Sequence, residues 1–151
     1  MRQRKGHLMA SDFQMKAMNK VHGATLKLSG GRLGWHMYGM PVVELTTIGR
    51  KSGQPRTSLL TSPVQSGDAF VIVASRGGDD INPAWFLNLK ANPEVTVKSG
   101  RKPAVNMRAR IAEGAERDEL WKRIMDYKPH YGGYQKKTER LIPLVVLEPI
   151  Q

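Results

Sequence analysis

Apolar and β-branched residues alternate with turn residues through the middle of the chain, a pattern typical of short antiparallel strands. The first strand is predicted over 42–47, where Val, Leu and Thr are frequent and Ile48-Gly49 follows. A second strand is predicted over 56–64, and Ser66-Gly67-Asp68 forms a turn into a third over 69–75. The third is apolar throughout, so we expect it to be central. Three successive strands joined by short loops predict an antiparallel meander.

Three segments have helical spacing. Over 12–28, Ser11 and Gln14 are spaced as in a capping box, and apolar residues recur every three or four positions. A short helix over 83–92 has Pro in its first turn and an apolar face of aromatic and leucine side chains. A third helix over 112–127 has Leu, Trp, Ile and Met inward and many charges outward.

The second half of the chain adds more strands. Residues 94–98 and 102–111 are predicted to pair as a hairpin through Ser99-Gly100, and 142–148 reads as a strongly apolar last strand. A loop or short turn is predicted around Trp35 and Tyr38. About six strands and three helices without βαβ alternation predict a mainly β, α+β fold: an antiparallel barrel with peripheral helices, in a single domain spanning 1–151.

Composition narrows the classes of protein. The 151 residues include no cysteine, which excludes disulfides and thiolate metal sites, and the longest apolar runs are far shorter than the roughly 20 residues of a membrane-spanning helix. The N-terminus is basic without a continuous signal-peptide core, so we expect a cytoplasmic protein. The net charge is +11, of which 10 − 2 = +8 lies in residues 1–56 and 14 − 11 = +3 in the remainder. This excess attracts nucleic acid, an anionic membrane or a multiply anionic ligand.

The segment 49–56 concentrates cations and glycines between two predicted strands. Arg50, Lys51 and Arg56 can donate charge-assisted hydrogen bonds, and glycine allows the backbone to approach an anion closely. The segment is therefore a candidate phosphate cradle, although it lacks the P-loop spacing. From charge alone, a solvated basic hairpin loop is an equal alternative.

Further candidate residues follow the third predicted strand. The turn 74–78 combines a Ser hydroxyl, Arg and two glycines, so a ligand ring could lie against it, although an ordinary turn is the simpler reading. In 82–93, core packing of Trp85 and Phe86 is favoured over ligand contact, and packing explains Asn82 and Asn88 less well. Four more side chains on a predicted glycine-rich loop could form walls for a planar substrate, namely Tyr127, His130, Tyr131 and Tyr134.

Several familiar catalytic patterns are absent from the sequence. The four histidines lack metal-ligand spacing, no Ser-His-Asp arrangement can be argued, and the acidic residues between 113 and 119 read as a solvated helix face. Hydrolysis therefore has no support. If the chain is an enzyme, its reactivity comes from a bound cofactor.

Four motifs occur in an order that resembles the deazaflavin-dependent nitroreductase family, whose actinobacterial members use coenzyme F-420. They are residues 45–56, 74–78, 82–89 and 142–146. The resemblance runs from Met18 to Pro149. It implies a split β-barrel and hydride transfer from the reduced coenzyme to a small-molecule acceptor such as a quinone, an enone lactone or a nitroaromatic. It also implies that a separate deazaflavin-reducing dehydrogenase reduces the coenzyme again.

The resemblance also implies roles for individual residues. The phosphate and oligoglutamate tail of the coenzyme would meet Arg50, Lys51, Gln54, Arg56 and Ser58, with the amide of Gly53 close to phosphate. The ring would lie along Ala74, Ser75, Arg76, Gly77 and Gly78, bordered by Trp85 and Asn88. Ser75, Tyr131 and Tyr134 are the implied catalytic residues. The chain departs from the family at Thr61 and Lys128, where aromatic residues stand in the nitroimidazole-activating member, so the departures concern the substrate side.

Three alternatives remain open from the sequence. FMN on the same barrel is compatible with the motifs, although the multiply cationic loop favours the more anionic coenzyme. A nucleic-acid-binding module is less favoured, because aromatic residues do not interleave with basic ones along the strands. Peripheral membrane contact through the basic N-terminus, with Arg2, Arg4 and Lys5, is compatible with enzyme function.

Overall fold

A computed structural model describes residues 35–150. The predicted helix over 12–28 and the basic N-terminus lie outside the described residues, so the single-domain, cytoplasmic and membrane-contact predictions stay predictions. None of the described helices combines the length and the apolar composition that a bilayer-spanning segment requires.

The described residues form an eight-stranded antiparallel sheet that curls on itself. Its strands are β1 (His36–Met37), β2 (Met40–Ile48), β3 (Pro55–Thr61), β4 (Val64–Ser66), β5 (Ala69–Val73), β6 (Glu94–Lys98), β7 (Val105–Ile111) and β8 (Leu144–Pro149). The pairing order is β1-β2-β6-β7-β8-β5-β4, and β3 pairs with the other edge of β2. This arrangement confirms a mainly β, α+β fold of the split-barrel type.

Three helices lie against the sheet. They are α1 (Ala84–Ala91), α2 (Gly114–Tyr127) and α3 (His130–Lys136), and a short 3₁₀ turn covers Arg76–Gly78. The predicted helices over 83–92 and 112–127 correspond to α1 and α2. The hairpin of 94–98 with 102–111 is β6 with β7, which begins at Val105.

The core has two halves that share strand β8. Val145 and Leu147 pack with β2, β5 and the aromatic face of α1, whereas Leu144 and Val146 pack with Leu120 of α2 and with α3. Strand β8 contributes to both halves because successive side chains of a strand point to opposite faces of the sheet. The strongly apolar pattern that predicted this last strand follows from burial on both sides.

The predicted second strand over 56–64 is confirmed only as far as Thr61, and the predicted meander does not continue beyond the antiparallel pair of β2 and β3. Strand β3 ends at Thr61 and β4 begins at Val64, because Pro63 has no N–H for a ladder and Ser62 turns the chain. The Ser62 amide donates to the Pro41 carbonyl, and the Ser62 hydroxyl oxygen lies 2.8 Å from each of its two acceptors, the carbonyl oxygens of Val64 and Val71. Within residues 35–150, strand β3 therefore pairs with β2, and β5 lies between β4 and β8.

The predicted tyrosine loop is also wrong, because His130–Lys136 forms helix α3. A Cβ on Gly132 would lie 2.5 Å from the Met125 Cε, so this glycine allows α3 to pack closely on α2. The region predicted as a loop or short turn around Trp35 and Tyr38 contains β1, which pairs with the start of β2.

Candidate active site

A pocket of about 270 Å³ opens between the end of β3, the turn after β5, and helix α3. Its walls are largely aromatic and aliphatic, which is typical of sites that hold planar ligands. The lining residues are Met37, Tyr38, Met40, Val42, Leu59, Leu60, Thr61, Val73, Ser75, Arg76, Gly77, Pro83, Trp85, His130, Tyr131 and Tyr134. None of these described lining residues is a carboxylate, so they do not oppose the development of negative charge on a bound ligand.

One wall of the pocket is formed by the segment between β5 and α1. We call this segment, residues 74–83, the connector. Ser75 is 8% exposed, and its hydroxyl has no hydrogen-bond partner among the described residues. Arg76 follows with φ +46°, and the left-handed region costs a non-glycine residue roughly 1–2 kcal/mol. The Arg76 guanidinium pairs with the Asp79 carboxylate three residues on. A polar hydroxyl thus faces the pocket from a strained turn.

Arg140 crosses from the loop before β8 to this connector. Its guanidinium donates to the carbonyl oxygens of Ala74, Ser75 and Asp79 and to the side-chain oxygen of Asn82, at 2.8 to 3.3 Å. Sequence reasoning missed this residue, because no local spacing connects it to segments about 60 residues away. The one hint in the sequence was Asn82, a partner of Arg140 whose presence core packing did not explain.

Gly78 brings the connector against helix α3. Its φ is +88°, and a Cβ there would lie 2.8 Å from the Tyr134 carbonyl oxygen and 3.0 Å from the Lys137 Cβ. Glycine is therefore required for the close approach. As a result, Ser75 on the connector and Tyr134 on α3 line the same pocket.

Tyr131 forms the wall of the pocket opposite the connector. It is 6% exposed, its hydroxyl lies 3.3 Å from the Thr61 hydroxyl, and it also lies 3.8 Å from the Met40 Sδ. Burial raises the pKa of the Tyr131 phenol, because a phenolate would lose its hydration. The ring of Tyr134 meets that of Tyr131 edge-on at 5.8 Å. The phenol is therefore neutral at physiological pH and able to donate a hydrogen bond.

His130 completes this aromatic cluster. Its ring lies 4.3 Å from the Tyr131 ring and 5.6 Å from that of Tyr134. Burial and the nearby Lys128 ammonium lower the pKa of the imidazole, so it is neutral at pH 7. Lys128 itself donates to the Tyr38 carbonyl at 2.5 Å and holds the β1–β2 turn at the rim of the pocket.

The basic loop, residues 49–56, lies outside the pocket and is closed by its own backbone. The Gly49 amide donates to the Gln54 carbonyl, and the Gly53 amide donates to the Gly49 carbonyl, each at 2.8 Å. The Gly53 N–H is thus bonded within the loop, and the expectation that it lies close to phosphate stays a prediction. Anion binding at the loop would fall on the exposed side chains of Arg50, Lys51 and Arg56.

Asn88 fixes the start of the basic loop. Its side-chain oxygen accepts hydrogen bonds from the Arg50 amide at 3.2 Å and from the Arg50 guanidinium at 3.0 Å. Its side-chain nitrogen donates to the Thr47 hydroxyl at 3.2 Å, and both Asn88 and Thr47 are buried. Asn88 therefore orients Arg50 from beneath the loop and does not line the pocket.

Two elements connect the pocket with the basic loop. Strand β3 carries Arg56 at its loop end and Thr61 at the pocket, about 17 Å apart at roughly 3.3 Å per residue. Helix α1 carries Trp85 at the pocket and Asn88 beneath the loop, one turn apart on the same face. The two sites thus form one elongated feature with an aromatic end and a cationic end.

Comparison with known proteins assigns the chain to a family. The profile of the family described as F420H(2)-dependent quinone reductase matches residues 18–149. This chain belongs to that family. It is 39% identical over 132 residues to an F420H(2)-dependent quinone reductase of Mycobacterium tuberculosis, covering 85% of this chain and 87% of the relative.

Two solved structures resemble this member of the quinone reductase family. An F420-H2-dependent reductase, FDR-A, is 43% identical with a TM-score of 0.64, and the match covers 72% of this chain and 94% of that one. A structure described as a domain-swapped dimer is 38% identical with a TM-score of 0.67, covering 87% of this chain and 99% of that one. The predicted split barrel, oxidoreductase activity and coenzyme F-420 are confirmed, and the FMN alternative is not supported.

In this quinone reductase family member, the predicted site residues fall into three groups. Ser75, Arg76, Gly77, Trp85, Tyr131 and Tyr134 come together in the pocket. Arg50, Lys51, Gly53, Gln54, Arg56 and Ser58 lie along the basic loop and the start of β3, away from the pocket. Ala74, Gly78 and Asn88 are buried behind these surfaces. Their direct contacts with coenzyme stay predictions.

The raised pKa of Tyr131 gives the first testable prediction. We expect Tyr131 to ionise above the ordinary tyrosine pKa of about 10, and we expect this late component of the titration to disappear in Tyr131→Phe. The measurement is an absorbance titration of tyrosinate in the folded protein. Tyr127→Phe is the control, since Tyr127 is 55% exposed. A late component that survives in Tyr131→Phe would contradict the assignment.

Proposed function

We propose that this protein transfers a hydride from reduced coenzyme F-420 to a quinone held in the pocket, with the coenzyme tail directed to the basic loop. The observation that carries the proposal is the Ser75 hydroxyl, which has no hydrogen-bond partner among residues 35–150 and lines an aromatic pocket without carboxylates. Enone lactones and nitroaromatics, and the dehydrogenase that would reduce the coenzyme again, stay predictions.

The dimensions and charges of the site fit the coenzyme. The aromatic end has a volume just below the range typical of small-molecule sites, and its open side lets a planar ring system extend beyond it. The cationic end lies about 17 Å away along β3, so a long ligand with an anionic tail can reach both ends. Gly53 has φ +70° and open space around its Cβ position, which keeps the loop surface accessible. A compact uncharged ligand would leave the three exposed cations of the loop without a role.

The chain's own residues perform the remaining work. When bound, reduced coenzyme F-420 supplies a hydride as a two-electron donor. The quinone gains that hydride and one proton and becomes a hydroquinone. Ser75 donates a hydrogen bond to the quinone oxygen where negative charge develops, which stabilises the transition state more than the ground state. The proton comes from Tyr134, whose hydroxyl has no partner among the described residues, or from solvent.

Trp85, Tyr131 and Thr61 orient the reactants. The Trp85 ring is 8% exposed and packs edge-on against Phe86, so its position on α1 is fixed. The Thr61 hydroxyl and the Met40 sulfur hold the Tyr131 hydroxyl in place. A rigid aromatic frame favours hydride transfer because the reacting atoms must approach within about 3.5 Å with aligned orbitals.

A binding titration followed by a turnover assay tests this function. Purified protein is titrated with oxidised coenzyme F-420 and, separately, with FMN, and binding is followed by fluorescence. Reduced coenzyme F-420 is then mixed with a short-chain naphthoquinone, and the oxidised coenzyme is followed by its visible absorbance. We expect saturable binding of coenzyme F-420, little binding of FMN, and enzyme-dependent oxidation. Binding of FMN in preference to the deazaflavin would contradict the proposal.

A further inference from the structure

We propose that Arg140 is a positioning residue for hydride transfer: its guanidinium shapes the connector so that the Ser75 hydroxyl faces the pocket. The inference rests on the proposed function, because it assigns a role to Ser75. It concerns a side chain that does not line the pocket and that touches neither of the reacting molecules in our account.

The hydrogen bonds of Arg140 all converge on the connector. Nε donates to the Asp79 carbonyl at 2.8 Å, Nη1 to the Asn82 side-chain oxygen at 2.8 Å, and Nη2 to the Ser75 carbonyl at 2.9 Å. Both terminal nitrogens also reach the Ala74 carbonyl, at 3.2 and 3.3 Å. The planar, five-donor guanidinium thus binds four acceptors spread over nine residues. A lysine ammonium cannot reproduce this geometry.

The hydrogen bonds of Arg140 hold the backbone of the connector in its observed conformation. Ala74 is fully buried and Ser75 nearly so, so their carbonyl oxygens would lose paired hydrogen bonds without Arg140. Immediately after them, Arg76, Gly77 and Gly78 all have positive φ. A backbone in this unusual conformation persists only where its surroundings impose it. Arg140 imposes it from one side, and the packing of Gly78 on α3 imposes it from the other.

Arg140 is itself anchored to the opposite wall of the pocket. The side chain of Gln135, on helix α3, donates to the Arg140 carbonyl at 2.7 Å and accepts from the Ile142 amide at 3.0 Å. The same helix carries Tyr131 and Tyr134. One side chain therefore ties the wall that bears the tyrosines to the wall that bears Ser75. The distance between the two walls depends on this tie.

The position of Arg140 explains Asn82, which packing left unexplained, and gives Asp79 a second role. Asn82 orients Nη1 of Arg140, and Asp79 holds the Arg76 guanidinium while its carbonyl accepts from Arg140. The two arginines therefore share the 79–82 segment without competing for one carboxylate oxygen. This arrangement keeps the Arg76 side chain, which lines the pocket, in a defined place.

The test compares Arg140→Met and Arg140→Lys with Arg117→Met. Arg117 is a matched control because it is also partly buried and donates to a carbonyl of the same loop, that of Ile142 at 2.9 Å, but has no bond to the connector. We expect kcat with a naphthoquinone to fall about 100-fold in Arg140→Met and about 10-fold in Arg140→Lys, as for a displacement of about 1 Å at a reacting group. Arg117→Met should stay within about twofold of wild type in kcat.

A second measurement reports on the connector without the coenzyme. The amides of Gly78 and Asp79 donate to the Ser75 and Arg76 carbonyls, so hydrogen exchange at these amides reports the order of the connector. We expect at least about 10-fold faster exchange in Arg140→Met and unchanged exchange in Arg117→Met. Arg140→Lys supplies the same comparison if the methionine variant does not fold.

The outcomes separate the two claims. If wild type binds no coenzyme F-420, the proposed function fails and the positioning role fails with it. If wild type binds and turns over while both Arg140 variants keep kcat and amide exchange within about twofold of wild type, the positioning role alone is wrong. Equal losses in Arg117→Met and Arg140→Met would also overturn it, since they would indicate a general loss of structure.

Discussion

Ser75→Ala is expected to lower kcat with a naphthoquinone about 100-fold, because removing one preorganised donor to a developing oxyanion typically costs about 3 kcal/mol. The change removes a single oxygen that makes no hydrogen bond with residues 35–150, so the fold loses nothing that it uses. We therefore expect an unchanged melting temperature. We also expect a coenzyme affinity within about threefold of wild type.

The measurement for Ser75→Ala is single-turnover oxidation of the reduced coenzyme by the quinone, with Ser66→Ala as the control. Ser66 ends the short strand β4, is exposed, and lies away from the pocket. A loss confined to KM for the quinone would mean that Ser75 contributes ground-state binding only. An unchanged rate constant in Ser75→Ala would remove the hydroxyl from the mechanism.

Gly78→Ala is expected to destabilise the protein by about 3 kcal/mol and to lower kcat/KM about 100-fold, because backbone must move to accept a Cβ. The new atom would lie 2.8 Å from the Tyr134 carbonyl oxygen, and neither backbone can yield without separating the connector from α3. The positive φ of +88° adds the usual cost of a left-handed alanine, about 1 kcal/mol. The stability is measured by urea unfolding.

Gly100→Ala separates the cost of backbone strain from the cost of steric overlap in this experiment. Gly100 has φ +64° and no atom within 4 Å of its Cβ position, so the substitution there adds backbone strain alone. We expect a loss of about 1 kcal/mol in Gly100→Ala, with kcat/KM unchanged. If Gly78→Ala is no more destabilising than Gly100→Ala, the close approach of the connector to α3 does not matter.

Strands with a clear local pattern of apolar residues could be predicted from the sequence. The break between β3 and β4 could not. Strands β5 and β8 were predicted from continuous apolar runs, and β6 was predicted from alternating apolar and polar residues, since these patterns are local in the sequence. The break at Ser62 depends on bonds to Pro41 and Val71, which are distant in sequence. Local propensity does not contain that information. The same holds for Gly132 of α3, which permits helix packing and does not mark a loop.

The candidate site shows the same division. The predicted site residues include six of the sixteen residues that line the pocket, because those six lie within short recognisable segments of the chain. Asn88 was assigned to the groove, whereas the structure places its amide between Thr47 and Arg50 beneath the loop. Arg140 was missed altogether. Residues that act through other residues leave no local pattern, since their partners are brought close only by the fold.

The central claim is that the ring of coenzyme F-420 lies in the pocket and its anionic tail at the basic loop. The most direct test is the dissociation constant of the full coenzyme and of a deazaflavin without phosphate and glutamate, measured with wild type and with a variant carrying Arg50→Ala and Lys51→Ala. We predict that the variant weakens binding of the full coenzyme at least about 10-fold, that salt does the same in wild type, and that the tail-less compound is unaffected by either. Equal weakening of both compounds, or of neither, would contradict the account.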